Sequence, residues 1–241
     1  MSANTSKTGV LKFERIPQEV PLYTFNQKEI KYMKQENDLG VLMDSRINFK
    51  THVQSIVNKC FKIYGWMVRT LVNRDKTIVL AIYKSLIRPN LEYASSVWNP
   101  SAVGQSQILE KVQRKITKLI LSKDIPYGKR LEILKLPTLK WRRMFLDMLR
   151  VYEVLHMEPE LRRQLFTLNS EISDVNLRRH RLALHGESCN SNVLRFHFTN
   201  RVLDVWNALP HEIVDIRSYF LFKVKLKQYL LQHSKTNPYK V

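Results

Sequence analysis

The sequence predicts a mainly α-helical fold with a small β element at its start, and three observations carry the prediction. From Phe49 onward, apolar residues recur at steps of three and four, the period of amphipathic helices. Before Phe49 the apolar runs are short and separated by polar turns, which is a strand pattern. A hydrophobic content of 44% in 241 residues is enough to bury a core, as one large domain or two small ones.

Residues Met1 to Val20 are polar and aperiodic, with Pro17 and Pro21 close together, and read as a loosely held tail or a truncated edge. "PLYTFN", "EIKYMK" and "LGVLMD" then read as two or three small strands, too few for an independent sheet. Val53, Ile56, Val57, Cys60, Ile63, Tyr64, Met67, Val68 and Leu71 draw one apolar stripe along a long helix. Asp75 begins a second helix with Ile78, Val79, Ile82 and Leu86, which Arg88-Pro89 should end or kink before "LEYASSVW". Asn99-Pro100 marks a turn.

The next helix, near Ser106 to Leu121, buries Leu109, Val112, Ile116 and Leu119 and sets Lys111, Arg114, Lys115 and Lys118 on a neighbouring face. A short helix near Lys129 to Leu136 follows. Pro137-Thr138 then caps a long helix with Trp141, Phe145, Met148, Leu149, Tyr152 and Leu155 on its apolar side. The polar interval from Thr167 to Asn192 has no clear period and reads as a long loop with room for a short strand. Two helices close the chain, one with Phe198, Val202, Val205, Trp206 and Leu209, the other with Phe222, Leu226, Tyr229 and Leu230.

The charge balance points to a partner. Forty Lys and Arg face 21 acids, a formal net charge of +19, which repels itself unless solvent or a polyanion screens it. The basic residues are spread over several amphipathic segments rather than gathered beside one lipid-seeking helix, which favours nucleic acid over a membrane. A basic protein with merely solvated charge is the competing reading. Two cysteines, Cys60 and Cys189, supply neither a disulfide framework nor a Cys-x-x-Cys pair. The longest apolar run, "IVLAIY", is far too short to span a bilayer, and Met1 is not followed by a secretory apolar region. A nuclear or cytoplasmic protein in a reducing compartment is expected.

Signals for catalysis are lacking. Two-metal polymerase or nuclease chemistry needs carboxylates that hold ions roughly 4 Å apart, and the chain has no Asp-Asp and no Asp-x-Asp. Asp38 and Asp44 bracket a strand, where turn-forming or capping roles are expected. The six glycines stand isolated, so no phosphate-cradling loop exists. No nucleophile elbow or other hydrolase signature is present. His180, His185, Cys189 and His197 are ligand types in one polar region, but their spacing matches no common zinc pattern and reads as an ordinary loop. No catalytic residue, metal ligand or cofactor is assigned.

Charge placement is more informative. Lys140, Arg142 and Arg143 crowd the first turns of the Thr138 helix, where the macrodipole disfavours cations. Either a phosphate docks at that helix start, or solvent and acids such as Asp147 soften the repulsion. Arg178, Arg179 and Arg181 form a further candidate patch, with solvated charge as the alternative. Trp66, Trp98, Trp141 and Trp206 each fall on or near an apolar stripe, which predicts core packing rather than base stacking.

The segments "DLGVLMDSRINFKTHVQSIVNKCFKIYG", "LAIYKSLIRPNLEYASSVWNP", "LEKVQRKITKLI", "RLEILKLPTLKWRR" and "FTNRVLDVWNALPHEIVDIRSYFLFKVKL" resemble the region after the active site in reverse transcriptases of non-LTR retrotransposons, the jockey and CR1-like elements. "NTSKTGVLKF" resembles the segment after the catalytic strand, with Lys7 at the place where a lysine is usual. The resemblance implies that residues 1–49 are the end of the palm, with a β-hairpin beside the primer terminus in which Leu39 and Gly40 match the Leu-Gly of the family. Residues 50–160 would be a helical thumb-like bundle and residues 161–241 a loop and C-terminal helical region. It also implies a chain that begins after the Y-x-D-D turn, so that the Mg-binding aspartates of the parent RNA-directed DNA polymerase are absent.

The function expected is that of a non-catalytic C-terminal portion of such an enzyme. It would hold an RNA–DNA hybrid or duplex through phosphates, first with Lys111, Arg114, Lys115 and Lys118, then with Lys140, Arg142 and Arg143. Two competitors stand beside it: completion of a polymerase in trans with a separate palm, and a degenerate remnant or helical protein-interaction module.

Overall fold

Among the described residues six short strands, paired as three ribbons, lead into a helical body. The computed structural model describes residues 8–13, 21–25, 27–73, 75–172, 180–186, 188–189 and 191–232. Strand β1 (Gly9–Leu11) runs parallel to β4 (Lys31–Met33), while β2 (Thr24–Phe25) pairs antiparallel with β3 (Lys28–Glu29). Gly9–Leu11 lies in the segment expected to be aperiodic, and three residues are too few to show a period. A side chain at Gly9 would meet the Met33 side chain at 2.4 Å, so a larger residue there would require Met33 to move.

The third ribbon is the hairpin of β5 (Gln35–Asp38) and β6 (Val41–Asp44), with Asp38 opposite Val41. Its two loop residues, Leu39 and Gly40, have φ of 45° and 85°, as a two-residue turn matched to strand twist requires. Asp44 forms the turn that follows, accepting from the backbone N–H of Arg46 at 2.8 Å.

Helix α1 (Lys50–Thr70) follows the predicted stripe, burying Val53, Val57, Cys60 and Met67. Helix α2 (Lys76–Ile82) is capped as expected by Asp75, whose carboxylate accepts from the N–H groups of Thr77 and Ile78 and is thereby held below the usual carboxylate range. The prediction around Pro89 needs correction. The helix does not break there. It widens into a π-helical turn, Tyr83–Ile87, before α3 (Arg88–Glu92), and the Arg88 N–H reaches the Tyr83 carbonyl. A proline in a regular helix would clash with the carbonyl four residues earlier, and the wider turn relieves that crowding. The Asn90 side chain donates to the Leu86 carbonyl at 2.6 Å, helping to satisfy this turn. The buried side runs through Val79, Tyr83, Ile87 and Leu91, and Ile78 and Leu86 are exposed.

After α4 (Ser95–Trp98), helix α5 (Val103–Ile120) packs along α1, and α6 (Tyr127–Leu134) leads to α7 (Leu139–Met157). The side chain of Thr138 caps α7, accepting from the Trp141 N–H at 3.2 Å. Two apolar clusters meet along this helix. Leu139 closes the one built by α1 to α6, and from Trp141 onward α7 is the centre of the other. The second cluster is completed by α8 (Pro159–Leu165), by an isolated bridge between Leu168 and Leu184 beside α9 (Asn169–Ile172), and by the C-terminal helices.

Those last helices are more broken than their stripes suggest: α10 (Asn192–Phe196), α11 (Phe198–Arg201), α12 (Leu203–Asn207), α13 (His211–Val214) and α14 (Tyr219–Gln232). Phe198, Val202, Trp206 and Leu209 still share one buried side, although α11 and α12 are separate turns. Trp98, Trp141 and Trp206 are in the core as expected, whereas Trp66 is 49% exposed. Among the described residues no helix is long and apolar enough to cross a membrane.

Candidate nucleic-acid interface

Helices α1 and α5 lie against each other and concentrate unpaired positive charge. Between them they carry Lys50, Lys59, Lys62 and Arg69 on α1 and Lys111, Arg114, Lys115 and Lys118 on α5, against a single acid, Glu110, which is buried. Lys59, Lys62, Arg69, Lys111, Lys115 and Lys118 are exposed, and Arg114 is half-buried. Among the described residues, none of these eight forms an ion pair.

The two helices also fix the charges in place. The Lys115 ammonium sits 5.5 Å from the centre of the Phe61 ring and 5.2 Å from that of Tyr64, which ties an α5 cation to α1. Arg114 lies 5.0 Å over the ring of Tyr127. Such stacking holds the head groups near an apolar surface without consuming their charge, so they remain available to an anion.

The start of α7 is different: of the two alternatives there, a docked phosphate or softening by solvent and nearby acids, the geometry favours acids. The Leu139 N–H donates to the Glu110 carboxylate at 3.1 Å, so an internal acid already occupies the helix start. Burial pushes the Glu110 carboxyl above its usual value, although a hydrogen bond from Tyr127, the nearby Arg143 and the Leu139 N–H act the other way. Arg142 is engaged by both oxygens of Glu92. Arg143 is 1% exposed, donates to Asn99 and Ser106 at 2.9 Å each, and has its pKa pushed down by burial to about 10. In this group only Lys140 is exposed to solvent. The sequence shows three adjacent cations, but helical rotation turns one inward, one to a neighbouring helix and one out.

Arg181 is exposed and pairs with Asp215 at 2.7 Å; Arg178 and Arg179 lie outside the described residues, as does Lys7. His180 is buried, with Nε2 at 3.0 Å from the Trp206 carbonyl, while His197 faces Thr199. Among the described residues no three His, Cys, Asp or Glu side chains are grouped to hold a metal ion. Leu39 and Gly40 form the exposed tip of the hairpin, and the Leu39 carbonyl accepts from the Tyr93 hydroxyl at 2.9 Å, which ties that tip to the end of α3.

The sequence reading passes over Lys59, Lys62 and Arg69 and places Trp66 in the core, whereas all four are exposed. The signal was available: they follow one another at steps of three and four on the side opposite the apolar stripe, in 21 residues without an acid.

Comparison with known proteins adds one direct link. A stretch of 86 residues, 34% of this chain, is 30% identical to a probable RNA-directed DNA polymerase from transposon X-element of Drosophila melanogaster. A stretch of 74 residues, 31% of this chain, is 26% identical to an uncharacterized protein of Caenorhabditis elegans. These matches span 9% and 37% of the respective relatives. No described protein family and no solved structure matches the chain. About a third of the chain is thus similar in sequence to a probable transposon RNA-directed DNA polymerase.

Proposed function

We propose that this chain is a non-catalytic C-terminal portion of a non-LTR retrotransposon reverse transcriptase, jockey or CR1-like, and that it holds template and primer through their phosphates. The observation that carries the reading is the α1–α5 surface, where eight basic residues stand with no exposed acid. In this reading residues 1–49 are the end of the palm, residues 50–160 the thumb and residues 161–241 its C-terminal extension. The similarity to a transposon RNA-directed DNA polymerase supports the parentage. Contacts to phosphates position a duplex without reading its sequence, so little sequence preference follows. The Mg-binding carboxylates would belong to a palm segment other than the residues described here.

The test is fluorescence anisotropy of a labelled RNA–DNA hybrid across a salt series. Binding with a log–log slope corresponding to about four or more phosphate contacts is expected. Replacing Lys111, Lys115 and Lys118 together by alanine should weaken binding equally for unrelated sequences and flatten the slope by roughly 2 to 3. Absence of binding at low salt would refute the reading and favour a remnant or a protein-interaction module. Completion of a polymerase in trans is a second reading, supported by the strands before α1, which among the described residues are short and pair only two by two. Primer extension that appears only when a palm fragment is added would establish it.

A further inference from the structure

We propose that Trp66, framed by Lys59, Lys62 and Arg69 on the outer face of α1, is a stacking site for an unpaired base of single-stranded nucleic acid. The proposal rests on the nucleic-acid reading above and deepens it: it shares Lys59, Lys62 and Arg69 with that surface but concerns the Trp66 ring and a different substrate form. Trp66 is the one tryptophan outside the core: Trp98 and Trp206 are 0% exposed and Trp141 5%, against 49% for Trp66. Half of a large aromatic residue is left in water on a helix whose other apolar residues are buried or half-buried, so part of its ring is free to meet a ligand.

Its surroundings select the ligand. Lys62 lies one turn before Trp66, Lys59 two turns before, and Arg69 three residues after, all on the same side. The guanidinium of Arg69 lies over Gly65, the residue before Trp66, where an added Cβ would come within 3.3 Å of it. The polar strip Thr51, Gln54, Ser55 and Asn58 continues this face as a shallow groove that ends at Lys59 and Lys62. A flat aromatic surface between cations, with no acid on the helix, matches a base on its π-face with phosphates on either side. An apolar protein partner would gain from the ring but would have to desolvate three unpaired cations.

A paired duplex hides its base faces, so the ring can act only on an unpaired nucleotide. The site therefore distinguishes a single strand from the duplex that phosphate contacts alone would hold.

The experiment compares a ten-nucleotide oligo(dT) with a blunt RNA–DNA hybrid, titrated against the full chain and its variants Trp66→Phe and Trp66→Leu. Trp66→Leu should weaken oligo(dT) binding roughly 5- to 100-fold, the size of one stacked base, with hybrid affinity unchanged. Trp66→Phe should retain most of the oligo(dT) affinity. Replacing the stacked base with an abasic position should weaken the wild type but not Trp66→Leu. Equal oligo(dT) binding by wild type and Trp66→Leu, with the hybrid still bound, overturns the stacking site and leaves the duplex reading intact. Failure of the wild type to bind either nucleic acid overturns both. A change in sedimentation from dimer to monomer in Trp66→Leu, with oligo(dT) affinity unaltered, would assign the ring to contact between copies and overturn the proposal.

Discussion

The backbone N–H of Leu42 donates to Nδ1 of His52 at 3.2 Å, joining the inner strand of the hairpin to the first turn of α1. The ring also stands edge-on to Trp98, with 5.3 Å between centres, so one histidine connects hairpin, α1 and α4. Accepting at Nδ1 requires the neutral ring with its proton on Nε2. Burial favours the same state and lowers the pKa of His52 from its ordinary value.

A pH dependence follows. With the folded pKa below the unfolded one, near 6.5, the stabilising contribution is complete above pH 6.5 and is lost as pH falls through the folded value. Protonation of Nδ1 also removes the acceptor for Leu42. The protection of the Leu42 amide against hydrogen exchange should therefore drop below pH 6.5 in the wild type. His52→Gln, which keeps an acceptor but does not titrate there, should show no such drop, and a parallel drop in both would disprove the link.

Glu110 predicts the opposite slope. Its carboxylate receives Leu139 N–H and the Tyr127 hydroxyl, and Gln113 lies at 3.4 Å, so it pins α5 to α6 and α7 from inside. Because burial raises its pKa, the folded chain holds this proton more tightly than the unfolded chain. The associated stability is present below the ordinary glutamate value and is lost as pH rises through the folded one. Urea titrations should show a decline with rising pH in the wild type that is absent in Glu110→Gln. Glu110→Ala strands several buried donors and should cost about 2 to 3 kcal/mol.

Such a role could not be read from the sequence. Thr138 was legible as a cap because its partner is three residues away, and the stripe of α1 because its period is local. Glu110 caps the same helix from 29 residues upstream, and nothing local marks it. For the same reason Lys140, Arg142 and Arg143 look equivalent as a string, although Glu92 and Asn99, some fifty and forty-four residues earlier, decide which of them stay in solution. The basic face of α5 was legible, since it depends on helical rotation alone. That of α1 is equally periodic, but Trp66 borders the apolar stripe and reads as core in the sequence, although helical rotation turns it to the side of Lys59 and Lys62.

Arg201 fastens the C-terminal helices to α7. Its guanidinium meets both oxygens of Asp147 at 2.9 Å and also donates to the Ser96 carbonyl at 2.7 Å. Asp147 is nearly enclosed, and burial raises its pKa while the Arg201 hydrogen bond and charge oppose that rise. Arg201→Met leaves this acid without its counter-ion and should cost about 3 kcal/mol in urea denaturation. Adding Asp147→Asn should recover at least about 1 kcal/mol of that loss, because the two side chains act as one unit. Simple additivity would mean that the pair contributes nothing of its own.

Leu39 carries a different kind of cost. A leucine with φ of 45° and 85% exposure gains little burial and bears the left-handed penalty, about 1 to 2 kcal/mol. Asn is at ease in that conformation, so Leu39→Asn should stabilise the chain by about 1 kcal/mol. Gly40→Ala should destabilise it by about 1 kcal/mol or more. The cause is backbone strain at φ of 85°, since an added Cβ would sit at an ordinary 3.5 Å from the Tyr93 ring. Strain kept at an exposed tip suits a surface used for contact. If the hairpin meets a primer, as the proposed parentage implies, Leu39→Asn should raise thermal stability and at the same time weaken hybrid binding in the anisotropy assay. Higher stability with unchanged affinity would exclude the tip from the interface and leave the α1–α5 surface to hold the duplex alone.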